Sequence, residues 1–193
     1  RVDLHRLVAL CGSEVKNPSY SKVVLGAQLT NILAGRLEKR YENRIIDGNV
    51  LTGKKTTVDG FLGAFSTEVT VIPEIMGGDE MLGWAMPRFH RFSVSRAYFS
   101  WLCPKKEYKL DTNLNGGERP FVVTGLYEKY LPMDVYVSYL LKACLVKDLD
   151  KMEDLGIYEV LPEDLALCEF VDPSKIEMQQ IVRNGINLMI KES

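Results

Sequence analysis

The chain has little of what a self-contained catalyst or cofactor carrier needs. It has only two histidines, His5 and His90, and four scattered cysteines, Cys11, Cys103, Cys144 and Cys168, with no C-x-x-C pair. That spacing excludes a zinc ribbon, a thioredoxin motif and a dense disulfide framework, and a reducing cytosol is the simplest home for such thiols. There is no P-loop, no G-x-G-x-x-G and no G-x-S-x-G. Gly77-Gly78 and Gly116-Gly117 read as turns, since neither opens a helix as a phosphate cradle does. The richest apolar stretch, Leu131 to Val146, is broken by Asp134 and Lys142 and is shorter than the roughly 20 residues that span a bilayer. The first residues do not form a signal peptide, and without an initiator Met the 193 residues read as a piece of a longer polypeptide.

What is present is an ordinary globular balance with 46% hydrophobic and 26% charged residues, which excludes a disordered tail. A pI near 5.8 lies well below the value of about 9 typical of domains held to nucleic acid by bulk charge. The net charge of −2 hides an asymmetry: residues 1–127 carry +4 and residues 128–193 carry −6. The patterns differ as well. Runs such as Leu7 to Leu10, Lys22 to Leu25 and Glu68 to Ile72, separated by turn residues, predict strands, with a short helix over Gln28 to Gly35 between them. After Pro132, the stripe Met133, Val137, Leu140, Leu141, Cys144 and Leu145 predicts a buried helix face. Pro162-Glu163-Asp164 opens another helix. Ser174 and Glu177 have capping-box spacing ahead of a last helix with the stripe Met178, Val182, Ile186, Met189 and Ile190.

Two stretches hold candidate chemistry. Arg88 to Lys109 gathers Arg88, His90, Arg91, Arg96, Lys105, Lys106 and Lys109 among Phe89, Phe92, Tyr98, Phe99 and Trp101. It reads either as a pair of strands with cations in water or as a surface for a partner or a membrane headgroup layer, with Arg88, Arg91, Arg96, Lys105 and Lys106 making the contact. Nucleic acid is the least favoured partner. In the second stretch, the C-x2-C-x2-C-x3-C-P spacing of a cubane iron-sulfur cluster falls on Pro162, Leu165, Cys168 and Asp172, followed by Pro173. Only one thiolate is left, so a cluster is not expected and Cys168 with Asp172 reads as a degenerate remnant. The two histidines fall in separate predicted strands and suggest no metal site.

Further motifs carry a resemblance. Asn115-Gly116-Gly117-Glu118-Arg119-Pro120, Tyr127-Glu128 with Pro132-Met133-Asp134, Leu155-Gly156 and Pro162 to Lys175 resemble the C-terminal part of the A subunit of the sodium-translocating NADH:quinone reductase. Trp84 and Phe92-Ser93-Val94 fit the same pattern, and residues 1–60, with Gly26, Leu29, Ile32 and Leu33, resemble the soluble-ligand-binding β-grasp module of that family.

The resemblance implies an α+β fold: a β-grasp-like module (1–60), a β-rich segment (61–127) and a helical bundle (128–193) similar to a degenerate iron-sulfur domain. It implies a peripheral place on the cytoplasmic side of a bacterial inner membrane. The partners would be the other subunits of the reductase and, at most, quinone. NADH, flavins, iron and quinone would belong to the whole complex, with no cofactor and no catalytic residue in this segment. The competing expectation is a quinone-binding β-grasp module with Phe61, Leu62, Phe65, Trp84 and Trp101 as pocket candidates. An independent iron-sulfur carrier is a third, disfavoured by the ligand count.

Overall fold

A computed structural model describes residues 2–38, 42–75, 83–122 and 125–192. The fold is mixed α+β, and the chain divides into two compact units, Arg1–Asn115 and Gly116–Ser193. The first holds a five-stranded sheet of β1 (His5–Cys11), β2 (Ser19–Val24), β3 (Asn43–Asp47), β4 (Lys54–Thr56) and β5 (Glu68–Pro73), with the short helix α1 (Leu29–Leu33) between β2 and β3. The strand order is β2-β1-β5-β3-β4. β1 and β5 are parallel, and the other neighbours are antiparallel.

Alternation along the strands builds the core. Val8 and Leu10 of β1, Ile45 of β3 and Val69 and Val71 of β5 turn to one face and close on Leu29, Ile32 and Leu33 of α1. The register places Leu10 beside Val69 and Ile45 beside Val71, so the inward side chains form a continuous layer. Gly12 follows β1 with φ +115°, and a Cβ there would lie 2.0 Å from the Val71 carbonyl oxygen. Only glycine permits that approach. The loop from β4 to β5 is tied to α1 by bonds from Leu29 N–H to the Gly60 carbonyl and from Leu62 N–H to the Ala27 carbonyl, each 2.9 Å.

Within residues 61–127, β5 is the one strand among the described residues, and it lies at the centre of the sheet built from the first 60. The expectation of further strands over 88–109, with His90 in one of them, is therefore corrected. That stretch holds a single 3-10 turn, Phe99–Leu102, and otherwise irregular backbone. Pro87 and Pro104 cannot donate to a ladder, and Arg96 adopts φ +57°, which no strand accommodates. The turn expected at Gly77-Gly78 lies outside the described residues.

The second unit is helical: α2 (Val137–Val146), α3 (Leu149–Asp154), α4 (Ala166–Val171) and α5 (Met178–Glu192), joined by 3-10 turns. Val137, Leu140, Leu141 and Cys144 of α2 pack with Met152, Leu165, Cys168, Met178 and Val182 in one core. Two residues of the expected stripes face outward: Leu145, and Ile190, which is 70% exposed. Gly185 takes a buried place on α5 instead, and a Cβ there would lie 2.7 Å from Cys144 Sγ, so its smallness sets how closely α2 and α5 approach. The start of α5 also differs from the capping-box expectation. The helix begins at Met178, and Glu169 Oε2 accepts the Gln179 N–H at 3.1 Å, so the cap comes from α4 rather than from Ser174.

Candidate functional site

Residues 83–115 fold without a ladder, and side chains supply the missing bonds. Arg88 reaches Asn115 Oδ1 at 2.6 Å and lies over the Tyr98 ring, 5.9 Å from its centre. Arg91 pairs with Asp111. Lys106 Nζ donates to the Phe89 carbonyl at 2.9 Å and lies 2.8 Å from His90 Nδ1. Tyr98 donates its hydroxyl to the Gly83 carbonyl at 3.0 Å, and Ser93 Oγ accepts the Ala97 N–H at 3.0 Å. Phe89 meets Phe99 and Phe92 meets Tyr108, with ring centres 5.8 and 5.6 Å apart.

Of the five cations expected to make contact, Arg88, Arg91 and Lys106 thus have bonds inside the segment, whereas Arg96 and Lys105 are exposed. In the same segment Met86, Phe89, Phe92, Phe99, Trp101 and Leu102 keep much of their apolar surface in solvent. Exposed aromatic and aliphatic side chains in a segment that also exposes cations are suited to covering by another molecule.

The second unit contains a buried polar node. Asp172 Oδ1 accepts the Tyr127 hydroxyl at 2.8 Å and the Ser174 N–H at 3.1 Å, and Oδ2 accepts the Ile176 N–H at 3.0 Å. Burial, and then the bond to Asp172, push the Tyr127 hydroxyl above its ordinary pKa, so it acts as a fixed donor. Cys168 is fully buried, with Sγ 3.6 Å from the Tyr127 carbonyl, and burial raises its thiol to about 11. Burial also raises the Glu169 carboxyl and lowers the Lys175 ammonium, and the Lys175 backbone takes φ +60°.

This donor set does not fit a cubane cluster. Pro162 and Leu165 are buried and apolar, Asp172 has all its bonds within the unit, and Cys168 is held as a neutral thiol rather than a thiolate. Among the described residues no three of His, Cys, Asp and Glu gather as metal ligands.

The residues named for a quinone pocket have different fates. Leu62 belongs to the core of the first unit, Phe61 and Trp101 are exposed, and Phe65 is 94% exposed. The Trp84 side chain is not among those described. None of the other four lines the shallow groove of about 440 Å³ in the second unit, which is bordered by Arg119, Ile176, Glu177 and Ile181. The sequence motifs include Asn115 and Tyr127 without the bonds they make, and Asp111 is in none of them. Each bonds to a group far along the chain, which no local spacing announces.

The fold defines a mixed α+β protein of two units in which no helix among the described residues is long and apolar enough to cross a membrane. Comparison carries this further. Residues 7–58 match the NQRA C-terminal domain family. The whole chain is 37% identical to the A subunit of Na(+)-translocating NADH-quinone reductase from Rhodopirellula baltica, with 100% of the chain aligned. It is 40% identical to the counterpart from Pasteurella multocida over 99% of the chain, and 39% identical to that from Yersinia pestis bv. Antiqua over 97%. The chain spans 42% of the length of each of these relatives. It belongs to the family of these A subunits and corresponds to their C-terminal part.

Proposed function

We propose that this chain is the C-terminal portion of a peripheral component of a sodium-pumping NADH:quinone reductase, with no catalytic centre of its own. Its task is to dock on the other subunits and help shape the region that quinone reaches, on the cytoplasmic side of the membrane. NADH oxidation and the flavins, iron and quinone belong to the rest of the complex. The relatives support membership, since they carry that name and align over the whole chain. The order β2-β1-β5-β3-β4 with parallel β1 and β5 and a helix after β2 supports a β-grasp reading of the first unit. The Cys168 to Pro173 spacing supports descent of the helical unit from a cluster domain that has lost its ligands.

The observation that carries the docking role is the surface of residues 83–115, where Arg96 and Lys105 stand among exposed aromatics while the neighbouring cations are engaged internally. Apolar burial would supply most of the affinity, and the rim charges would govern association rate. The test is Arg96→Glu together with Lys105→Glu in the full-length polypeptide, followed by purification of the complex through another of its components. Slower or incomplete incorporation is expected, and assembly at the normal rate and yield would sink the assignment. Reversal of Arg91 is not a clean probe, because it breaks the pair with Asp111 inside the segment.

A further inference from the structure

The turn Phe99–Leu102 inverts the usual division between inside and outside. Its serine, Ser100, is buried, whereas Phe99, Trp101 and Leu102 are each about half exposed. Bonds hold it so. The Ser100 carbonyl accepts the Cys103 N–H at 3.0 Å and the Tyr108 hydroxyl at 3.4 Å. The Phe99 ring meets that of Phe89, itself exposed, and the Phe89 carbonyl accepts a bond from Lys106 Nζ. Single apolar residues in water are ordinary, but several on one turn and in ring contact with it mark a place that something else covers.

The charges say what covers it. Residues 83–110 hold six cations and a single acid, Glu107. Arg91 is paired with Asp111, but Lys106 bonds to a carbonyl and lies against His90 Nδ1, so no carboxylate offsets it. Lys105 and Lys109, which follow the turn, are exposed. Such a surface attracts an anionic partner. Protein interfaces favour arginine and are depleted in lysine, whereas here Arg88 and Arg91 are engaged within the segment and, of the three arginines, only Arg96 is exposed. A half-exposed tryptophan followed by flexible ammonium groups suits the headgroup layer of a bilayer. There the indole lies between acyl chains and water, and each lysine near an anionic surface strengthens binding about fivefold.

We infer that the turn Phe99–Leu102, with Lys105 and Lys109, rests on a bilayer surface of anionic lipid, its apolar side chains entering the headgroup layer and its ammonium groups meeting lipid phosphates. The inference rests on the reading of residues 83–115 as a contact surface beside a membrane and narrows part of it, since lipid rather than protein meets the turn. Arg96, which precedes the turn, is left to the protein contact.

The experiment places photo-reactive benzoylphenylalanine at Trp101 of the full-length polypeptide in the purified complex, with the same group at exposed Gln180 as control. The complex is reconstituted in vesicles of phosphatidylcholine alone or mixed with phosphatidylglycerol. Irradiation is expected to give lipid adducts from position 101, about fivefold more in the mixed vesicles. Adducts confined to protein, a yield no higher than from position 180, or equal yields in the two kinds of vesicle overturn the inference. In parallel, the full-length polypeptide is sedimented with the mixed vesicles. Trp101→Ser with Leu102→Ser, and separately Lys105→Glu with Lys109→Glu, are each expected to lower binding about tenfold with an unchanged melting temperature. Wild-type binding by either variant overturns the inference. Lipid adducts from position 101 together with normal assembly of Arg96→Glu with Lys105→Glu end the docking role and keep the lipid contact. Protein adducts alone, with assembly of that variant impaired, end the lipid contact and keep the docking role.

Discussion

Residues 5–73 and residues 83–115 share one compact unit but satisfy their backbones by opposite means. In the sheet, ladders between strands pair the amides and carbonyls, which frees the side chains of β1, β3 and β5 to bury apolar area against α1. In the later segment, arginine, lysine, tyrosine and serine side chains hold the chain in place, and the aromatics they might have covered stay at the surface. Interior packing gives a rigid frame that tolerates surface change. A segment held by polar side chains has lower local stability and leaves apolar area for a partner.

Substitutions in the two regions are expected to act differently. Leu10→Ala, on β1 beside the central strand β5, is expected to cost about 3 to 4 kcal/mol in denaturant unfolding of the first unit; a loss below about 1 kcal/mol would remove the claim that the sheet is its core. Asp172→Asn, which keeps the size of the side chain, is expected to cost the second unit about 2 to 3 kcal/mol, because an amide nitrogen cannot accept the bonds that the carboxylate oxygen accepted. Arg91→Ala is expected to cost about 1 kcal/mol, with its neighbour Asp111 left without its cation. Hydrogen exchange should then quicken across 83–115 and not in β1. Equal quickening in both would show that the two regions are one cooperative piece.

An acid titration gives a smaller effect. The Arg44 guanidinium holds the Glu74 carboxyl, just past β5, below the ordinary carboxylate range. Its contribution is present above the pKa of the unfolded chain and disappears as pH falls through the lower folded value. Exchange protection of β3 and β5 should decline over that acid range in the native chain, and Glu74→Gln should remove that dependence. The smallest effect on stability is expected from Arg96→Glu with Lys105→Glu, within about 0.5 kcal/mol in either direction, although assembly is expected to suffer. A large loss of stability would mean that these exposed cations support the fold.

Much of the fold was legible in the residues because it follows from short periods. The strands at Leu7, Lys22 and Glu68 and the helix at Leu29 lie where alternation and turn residues put them. The helical second half follows from its stripes. What failed to show depended on partners distant in sequence. The capping-box spacing at Ser174 set the start of the last helix too early: α5 begins at Met178, and Glu169 of α4 accepts the Gln179 N–H. The aromatic and basic run at 88–109 has the composition of strands without a strand's period, with one proline just before it and another inside it. Of the cations expected to make contact, composition could not separate Arg91, engaged by Asp111, from the exposed Arg96.

The sequence by itself determined the division into a basic, strand-forming part and an acidic, helix-forming part, because local propensity and charge are properties of neighbours along the chain. Its motifs also carried the family likeness that comparison then established. Only the tertiary structure decided which polar groups are used internally and which faces remain uncovered. A hydrogen bond such as that from Tyr127 to Asp172 spans 45 residues. Whether Val146 is core or surface depends on which elements the folded chain lays against it, and no period in its own helix can state that.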